Sequence, residues 1–167
     1  MRRSIRLPIL LAAVTATLLL PASLAQAGVG PPQHVTFSVF LRFTNPPDHP
    51  PCRPQNTCHA VGTFSDATPP LCPAGSADDT YVFPGGQRDR TYACADGSGT
   101  FSVAVKYKRF SEGPTPGTLA ITGTWEVVKG TGAFRGLQGH GSVLSIFDPG
   151  AEGSLSETNE GEVVIAS

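Results

Sequence analysis

Apolar side chains recur at every second position in several short runs, and glycine or proline cuts each run before it grows long. In the first, Val35, Phe37, Val39, Leu41 and Phe43 fall on one face, with Thr36, Ser38, Phe40 and Arg42 on the other. Successive side chains of an extended strand point to opposite sides, so this alternation describes a strand with one buried face. The 19 glycines and 16 prolines among 167 residues break helices repeatedly, because proline lacks the amide donor and glycine is costly in a helix interior. The chain is therefore expected to be all-β, a single domain of about eight short strands.

Seven further strands are expected over residues 59–65, 76–83, 90–94, 100–110, 119–127, 142–147 and 154–165. Pro84-Gly85-Gly86, Asp96-Gly97-Ser98-Gly99 and Gly113-Pro114-Thr115-Pro116-Gly117 are combinations that turn a chain back on itself. Residues 44–58 read as a loop, because Pro46, Pro47, Pro50, Pro51 and Pro54 cannot donate to a ladder. Gly161 is expected to mark a bulge in the last strand. Eight antiparallel strands can close into an up-and-down β-barrel, which removes exposed sheet edges and leaves an interior that is either filled or holds one small ligand. A two-sheet β-sandwich is the alternative, since alternation alone does not decide closure.

The N-terminus carries Arg2, Arg3 and Arg6, then an apolar stretch from Leu7 to Leu20 and the small-residue site Ala25-Gln26-Ala27. This is the pattern of a secretory signal peptide over residues 1–27. Pro8, Thr15, Thr17 and Pro21 interrupt the stretch, whereas a membrane span takes about 20 mostly apolar residues. A secreted, extracellular product is expected, with a short extension at 28–33, a barrel domain at 34–167 and no membrane association after cleavage. Cleavage removes three of the 12 basic residues and takes the formal charge from −1 to −4. Nucleic-acid binding needs clustered Lys and Arg. The local cluster of Lys106, Lys108 and Arg109 reads as a solvated strand face, so no nucleic-acid partner is expected.

All four cysteines, Cys52, Cys58, Cys72 and Cys94, follow this segment, in a compartment that permits disulfides. Four cysteines allow three pairings. The spacing favours Cys52 with Cys58, closing the Pro-rich loop, and Cys72 with Cys94, bracketing neighbouring strands. A zinc site with His49 and His59 is the rival, but it lacks the close Cys-x-x-Cys pair of structural zinc sites. Neither a metal nor a cofactor is expected.

From Trp125 the chain runs through Lys129-Gly130-Thr131-Gly132-Ala133-Phe134-Arg135-Gly136-Leu137-Gln138-Gly139-His140-Gly141. Gly130 and Gly132 permit a tight turn, Phe134 and Leu137 can plug one end of a core, and Gly139 and Gly141 allow close backbone approach. A dinucleotide cradle is excluded, since its third glycine would fall at Arg135. The segment Gly130, Thr131, Gly132, Phe134, Gly136 and Gly139 resembles the Gly-(Thr/Ser)-Gly-x-Phe-x-Gly-x-x-Gly corner of the allene oxide cyclase and dirigent superfamily. That resemblance implies an eight-stranded antiparallel, calycin-like barrel. Its members include a cyclase that isomerises an unsaturated fatty-acid epoxide and proteins that steer the coupling of phenoxy radicals. Their catalytic residues lie outside this corner, and none is carried over to this chain.

Motifs for hydrolytic or metal chemistry are missing. No serine has the Gly-x-Ser-x-Gly spacing, and His34, His49, His59 and His140 are scattered. The segment from Asp148 fails as a calcium loop because Asn159 stands where the bidentate Glu is needed. Asp78 and Asp79 are adjacent and face opposite ways on a strand. Parity instead singles out Tyr107, sharing a face with Phe101, Val103 and Val105, and places Arg109 near the mouth. Arg90 and Tyr92 line the adjacent strand, and Trp125 shares a face with Leu119 and Ile121.

An apolar pocket with a few convergent polar groups is the usual form of a small-molecule site. The expected function is accordingly a secreted barrel that binds a small apolar molecule, or serves as an extracellular accessory protein, without chemistry. Arg90, Tyr92, Tyr107, Arg109 and Trp125 are its candidate ligand-binding residues. Two alternatives remain: a cofactor-free isomerase or cyclase of the resembled type, and a homo-oligomeric interaction module using Phe40 and Phe110.

Overall fold

The structure, a computed structural model, describes residues 30–44, 57–82, 87–150 and 153–166. The expected signal peptide, Cys52, His49 and most of the Pro-rich loop lie outside the described residues. Eight strands follow in order: β1 (Gln33–Phe43), β2 (Thr57–Ser65), β3 (Gly75–Val82), β4 (Gln87–Cys94), β5 (Thr100–Glu112), β6 (Leu119–Gly130), β7 (Leu137–Asp148) and β8 (Ser154–Ile165). Each strand pairs with the next, and β8 returns antiparallel to β1 over Gln33↔Val163 to Arg42↔Ser154, closing an up-and-down barrel. Closure excludes the β-sandwich. No helix among the described residues is long and apolar enough to cross a membrane.

The alternation has its expected consequence, since Val35, Phe37, Val39 and Leu41 are buried inside while Phe40 and Arg42 face outward. One end of the barrel is filled by aromatic rings. Phe37 meets Tyr92 at 5.5 Å and Trp125 at 5.9 Å, and Phe101 meets Phe134 at 5.5 Å. Phe134 belongs to a 3₁₀ turn (Gly132–Phe134) in the glycine-rich corner, and with Leu137 it plugs this end. Leu71 and Cys72, from the β2–β3 connection, are buried beside them, and a Cys72–Cys94 disulfide fixes that connection to β4. Closing such a loop contributes about 3 kcal/mol on the chain-entropy account. Cys58 is also disulfide-bonded.

Two sequence expectations are corrected. Strand β7 begins at Leu137 and not near 142, because Gly139 and Gly141 are paired strand residues opposite Val163 and Gly161. Gly161 is not a bulge, since its pairing with Val35 and Gly141 is uninterrupted. Its smallness makes room for the indole: a Cβ there would lie 2.5 Å from Trp125 Cζ2 and 2.3 Å from the His140 carbonyl oxygen. The register shifts occur in the β5–β6 ladder, between Ser102 and Val103 and between Tyr107 and Arg109.

Gly161→Ala therefore forces both backbone and indole to move. A loss of about 1–3 kcal/mol is expected from overpacking, measured by urea denaturation. An unchanged midpoint would show that the indole does not rest on this glycine.

Candidate functional site

Inward-facing positions on five strands bring polar side chains into the barrel above the aromatic end. Asp79 comes from β3, Arg88 and Arg90 from β4, Tyr107 from β5, Ser145 from β7, and Glu157 and Asn159 from β8. All are buried, with Arg90, Asp79 and Ser145 at 0% exposure. Strand parity puts them there: Asp79 pairs with Arg90, Arg90 with Val103, Ser145 with both Ile121 and Glu157, and Glu157 with Val39.

Arg90 is the hub. Its Nη1 donates to Glu157 Oε2 and, at 3.3 Å, to the Tyr92 hydroxyl, while its Nη2 donates to Glu157 Oε1 at 3.2 Å and Asp79 Oδ2 at 3.1 Å. Arg88 Nη1 donates to the same Asp79 oxygen at 2.8 Å. Glu157 Oε1 also accepts from the Tyr107 hydroxyl, and from Ser145 Oγ at 2.8 Å. The Arg88 guanidinium lies 4.8 Å above the Tyr107 ring centroid and 5.9 Å from that of Phe43. The charges thus alternate along a chain, Arg88, Asp79, Arg90, Glu157. Asp79 Oδ1, Arg90 Nε and both amide atoms of Asn159 make no hydrogen bond among the described residues.

Burial alone would raise the Glu157 carboxyl, but the Arg90 guanidinium and the hydrogen bonds from Arg90, Tyr107 and Ser145 outweigh it and hold the group below its ordinary 4.5. Burial pushes both phenols well above their ordinary 10.0. Glu157 adds to the rise, and it is opposed at Tyr92 by Arg90 and at Tyr107 by Arg88 and Arg90. Glu157 is therefore an anion and Tyr107 a neutral donor at physiological pH. A carboxylate offers about four lone-pair positions, and Glu157 receives four donor contacts. It has little capacity left to act as a base.

Past this network, apolar side chains are directed inward near the β5–β6 turn. Pairing directs Phe110 to the same side as Ile121, and Leu119 to the same side as Phe147, whose other partner is the fully buried Leu155. Ile121 and Leu155 face the interior, so Phe110 and Leu119 also point toward the axis, yet they are 65% and 42% exposed. Phe43 and Phe147, with ring centroids 5.8 Å apart, are half-buried at the same end. These four apolar side chains, with Glu112 paired to Leu119, are directed to the inner side at the end of the barrel beyond Tyr107 and Arg88.

Of the five residues expected to bind a ligand, Arg90, Tyr92, Tyr107 and Trp125 are inside. Tyr92 and Trp125 are enclosed by other rings, with the indole Nε1 donating to the Ser142 carbonyl at 3.0 Å. Arg109 is not brought to the site. Lys108 is the extra residue of the bulge, so Arg109 pairs with the outward-facing Thr122 and is exposed. The same bulge turns Phe110, expected on the outer face, toward the axis, while Phe40 stays on the outer wall at 40% exposure. Asp79, Arg88, Ser145, Glu157 and Asn159 were missed. The signal for the β8 pair was present, since Leu155, Glu157, Asn159 and Val163 share one parity and the apolar members require that face to be inside.

Among the described residues no group of His, Cys, Asp and Glu is arranged to hold a metal ion. The fold and site define a closed antiparallel β-barrel with a charge network across its interior. No protein-family model, curated protein or solved structure matches the chain.

Removing one member of a buried ion pair strands the other. Arg90→Met is expected to cost about 3–5 kcal/mol in urea denaturation, and Arg90→Met with Glu157→Leu less than the two single losses together. Strict additivity would uncouple the pair.

The acid limb follows from the sign of the Glu157 shift. Its folded-state value is depressed, so its contribution is complete above pH 4.5 and disappears as the pH falls through the lower folded value. Glu157→Gln is expected to be less stable at pH 7 and to lose less on acidification from pH 5 to about pH 3. Parallel pH profiles for the two proteins would remove Glu157 as the source.

Proposed function

We propose that this is a secreted barrel that binds a small, largely apolar molecule in the vestibule at its mouth, without chemistry. The observation that carries this reading is the exposure of Phe110 and Leu119, which the strand register directs toward the barrel axis. Apolar side chains left open to solvent above convergent polar groups have the composition of a small-molecule site. Secretion is supported by the N-terminal pattern over 1–27 and agrees with the Cys72–Cys94 disulfide. The glycine-rich corner supports kinship with the allene oxide cyclase and dirigent superfamily, whose characterised members handle small molecules inside a barrel. An isomerase mechanism is the weaker reading, because Glu157 is committed to four donor contacts and is held as an anion.

The neutral dye N-phenyl-1-naphthylamine is expected to bind saturably, with fluorescence enhancement. Phe110→Ser should weaken binding about five- to tenfold, the scale of losing part of an aromatic contact area, and leave the denaturation midpoint unchanged because the side chain is 65% exposed. Saturable binding that is indifferent to Phe110→Ser and Leu119→Ser would place the dye elsewhere and end the vestibule reading.

A further inference from the structure

The outer wall of the barrel carries an uncharged belt across four adjoining strands, β2, β1, β8 and β7. Phe40 pairs with Thr63 on one side and Ser156 on the other, and Ser156 with Ile146. Two residues along, Ser38 lies between Ser65 and Thr158, and Thr158 beside Leu144. The short hydroxyl side chains leave a groove of about 340 Å³ bounded by Phe40 and by Leu144 and Ile146. Phe40 and Leu144 are 40% and 47% exposed, a cost in apolar surface that a docked partner would relieve.

The two ends of the belt differ in charge. Beyond Phe40 comes Arg42, and beyond Thr158 come Glu160 and Glu162, with His34 Nε2 3.0 Å from Glu160. Asp148, at the Arg42 end, lies two strands away and accepts from the Gly150 amide. The midpoint is the Val39–Glu157 pair, with Phe40 and Ser38 one residue to either side of it, and Arg42 and Thr36 three. A two-fold axis lying in this face, across the strands at that midpoint, sets each residue against the one equally far on the other side. The Phe40 ring of one copy then covers Ser38 of the other, Ile146 meets Leu144, and Arg42 comes to Thr36, whose partner on β8 is Glu160. Large meets small at the centre, and opposite charges meet at both ends, because every contact across a two-fold occurs twice. A uniformly basic or acidic partner would match one end and be repelled at the other.

We propose that this face docks a second copy of the chain in a symmetric homodimer, held by Phe40, Leu144 and Ile146 and oriented by Arg42 and Glu160. The contact uses the outer wall alone, so it stands apart from any binding inside the barrel.

The test is sedimentation equilibrium at pH 7 of the chain lacking residues 1–27. A monomer–dimer equilibrium is expected between about 1 and about 200 µM. Phe40→Lys should weaken it at least about tenfold, because two ammonium groups enter an apolar contact; Leu144→Lys serves the same purpose if that variant does not fold. Arg42→Glu should weaken it about tenfold by turning two attractions into repulsions. Adding Glu160→Arg to Arg42→Glu should restore the dimer, whereas a role confined to the folding of one copy predicts a further loss. A chain that stays monomeric throughout, a trimer or open polymer, a dimer indifferent to Phe40→Lys or Leu144→Lys, or a charge-swapped variant no tighter than Arg42→Glu alone would each overturn the proposal.

Discussion

A fully buried guanidinium spans the barrel, and the rest of the interior is arranged around it. Arg90 leaves β4, reaches its neighbour Asp79 on β3 and crosses to Glu157 on β8, 67 residues away in sequence. A charge removed from water in this way is tolerable only with partners in good geometry. The requirement constrains register. A one-residue slip of β4 would turn Arg90 outward, strand both carboxylates and bring Thr91 or Asp89 inside. A mere apolar preference is more forgiving, because neighbouring hydrophobic side chains exchange places at modest cost. The buried network therefore penalises misregistered pairings that hydrophobic patterning alone would distinguish less sharply.

The two ends of the barrel are built differently. At one end rings interlock, and glycines admit the largest of them: Gly141 and Gly161 lie so near the indole of Trp125 that a Cβ at either would sit within 2.6 Å of it. The disulfide and the 3₁₀ turn close that end. At the other end the strands run past the network, and Phe110 and Leu119 on their inner side are 65% and 42% exposed.

Alternation and glycine punctuation make the strand count, the barrel and the Cys72–Cys94 link readable from the residues, because each depends on local periodicity or short spacing. What escaped depends on geometry that periodicity does not encode. A single extra residue at Lys108 reverses parity, sending Arg109 out and Phe110 in, and no proline or glycine announces it. Asp79 and Glu157 are ordinary acidic residues in strands that otherwise look half solvated. Their burial follows from Arg90, which sits beside Asp79 on the next strand and reaches Glu157 across the barrel, a placement apparent only once register and closure are known. Gly161 was read as a defect in one strand because its reason lies in Trp125, two strands away.

The same alternation of charges bears on stability. An all-apolar interior would fill the barrel with less desolvation, and replacing buried ion pairs by packed hydrophobic groups often stabilises a protein. Here Arg88, Asp79, Arg90 and Glu157 alternate in sign across three strands, so each charge has an opposite neighbour. The desolvation cost is offset only when β3, β4 and β8 hold their native register, so what an apolar interior would gain in stability this one exchanges for a pairing that a slipped strand cannot make.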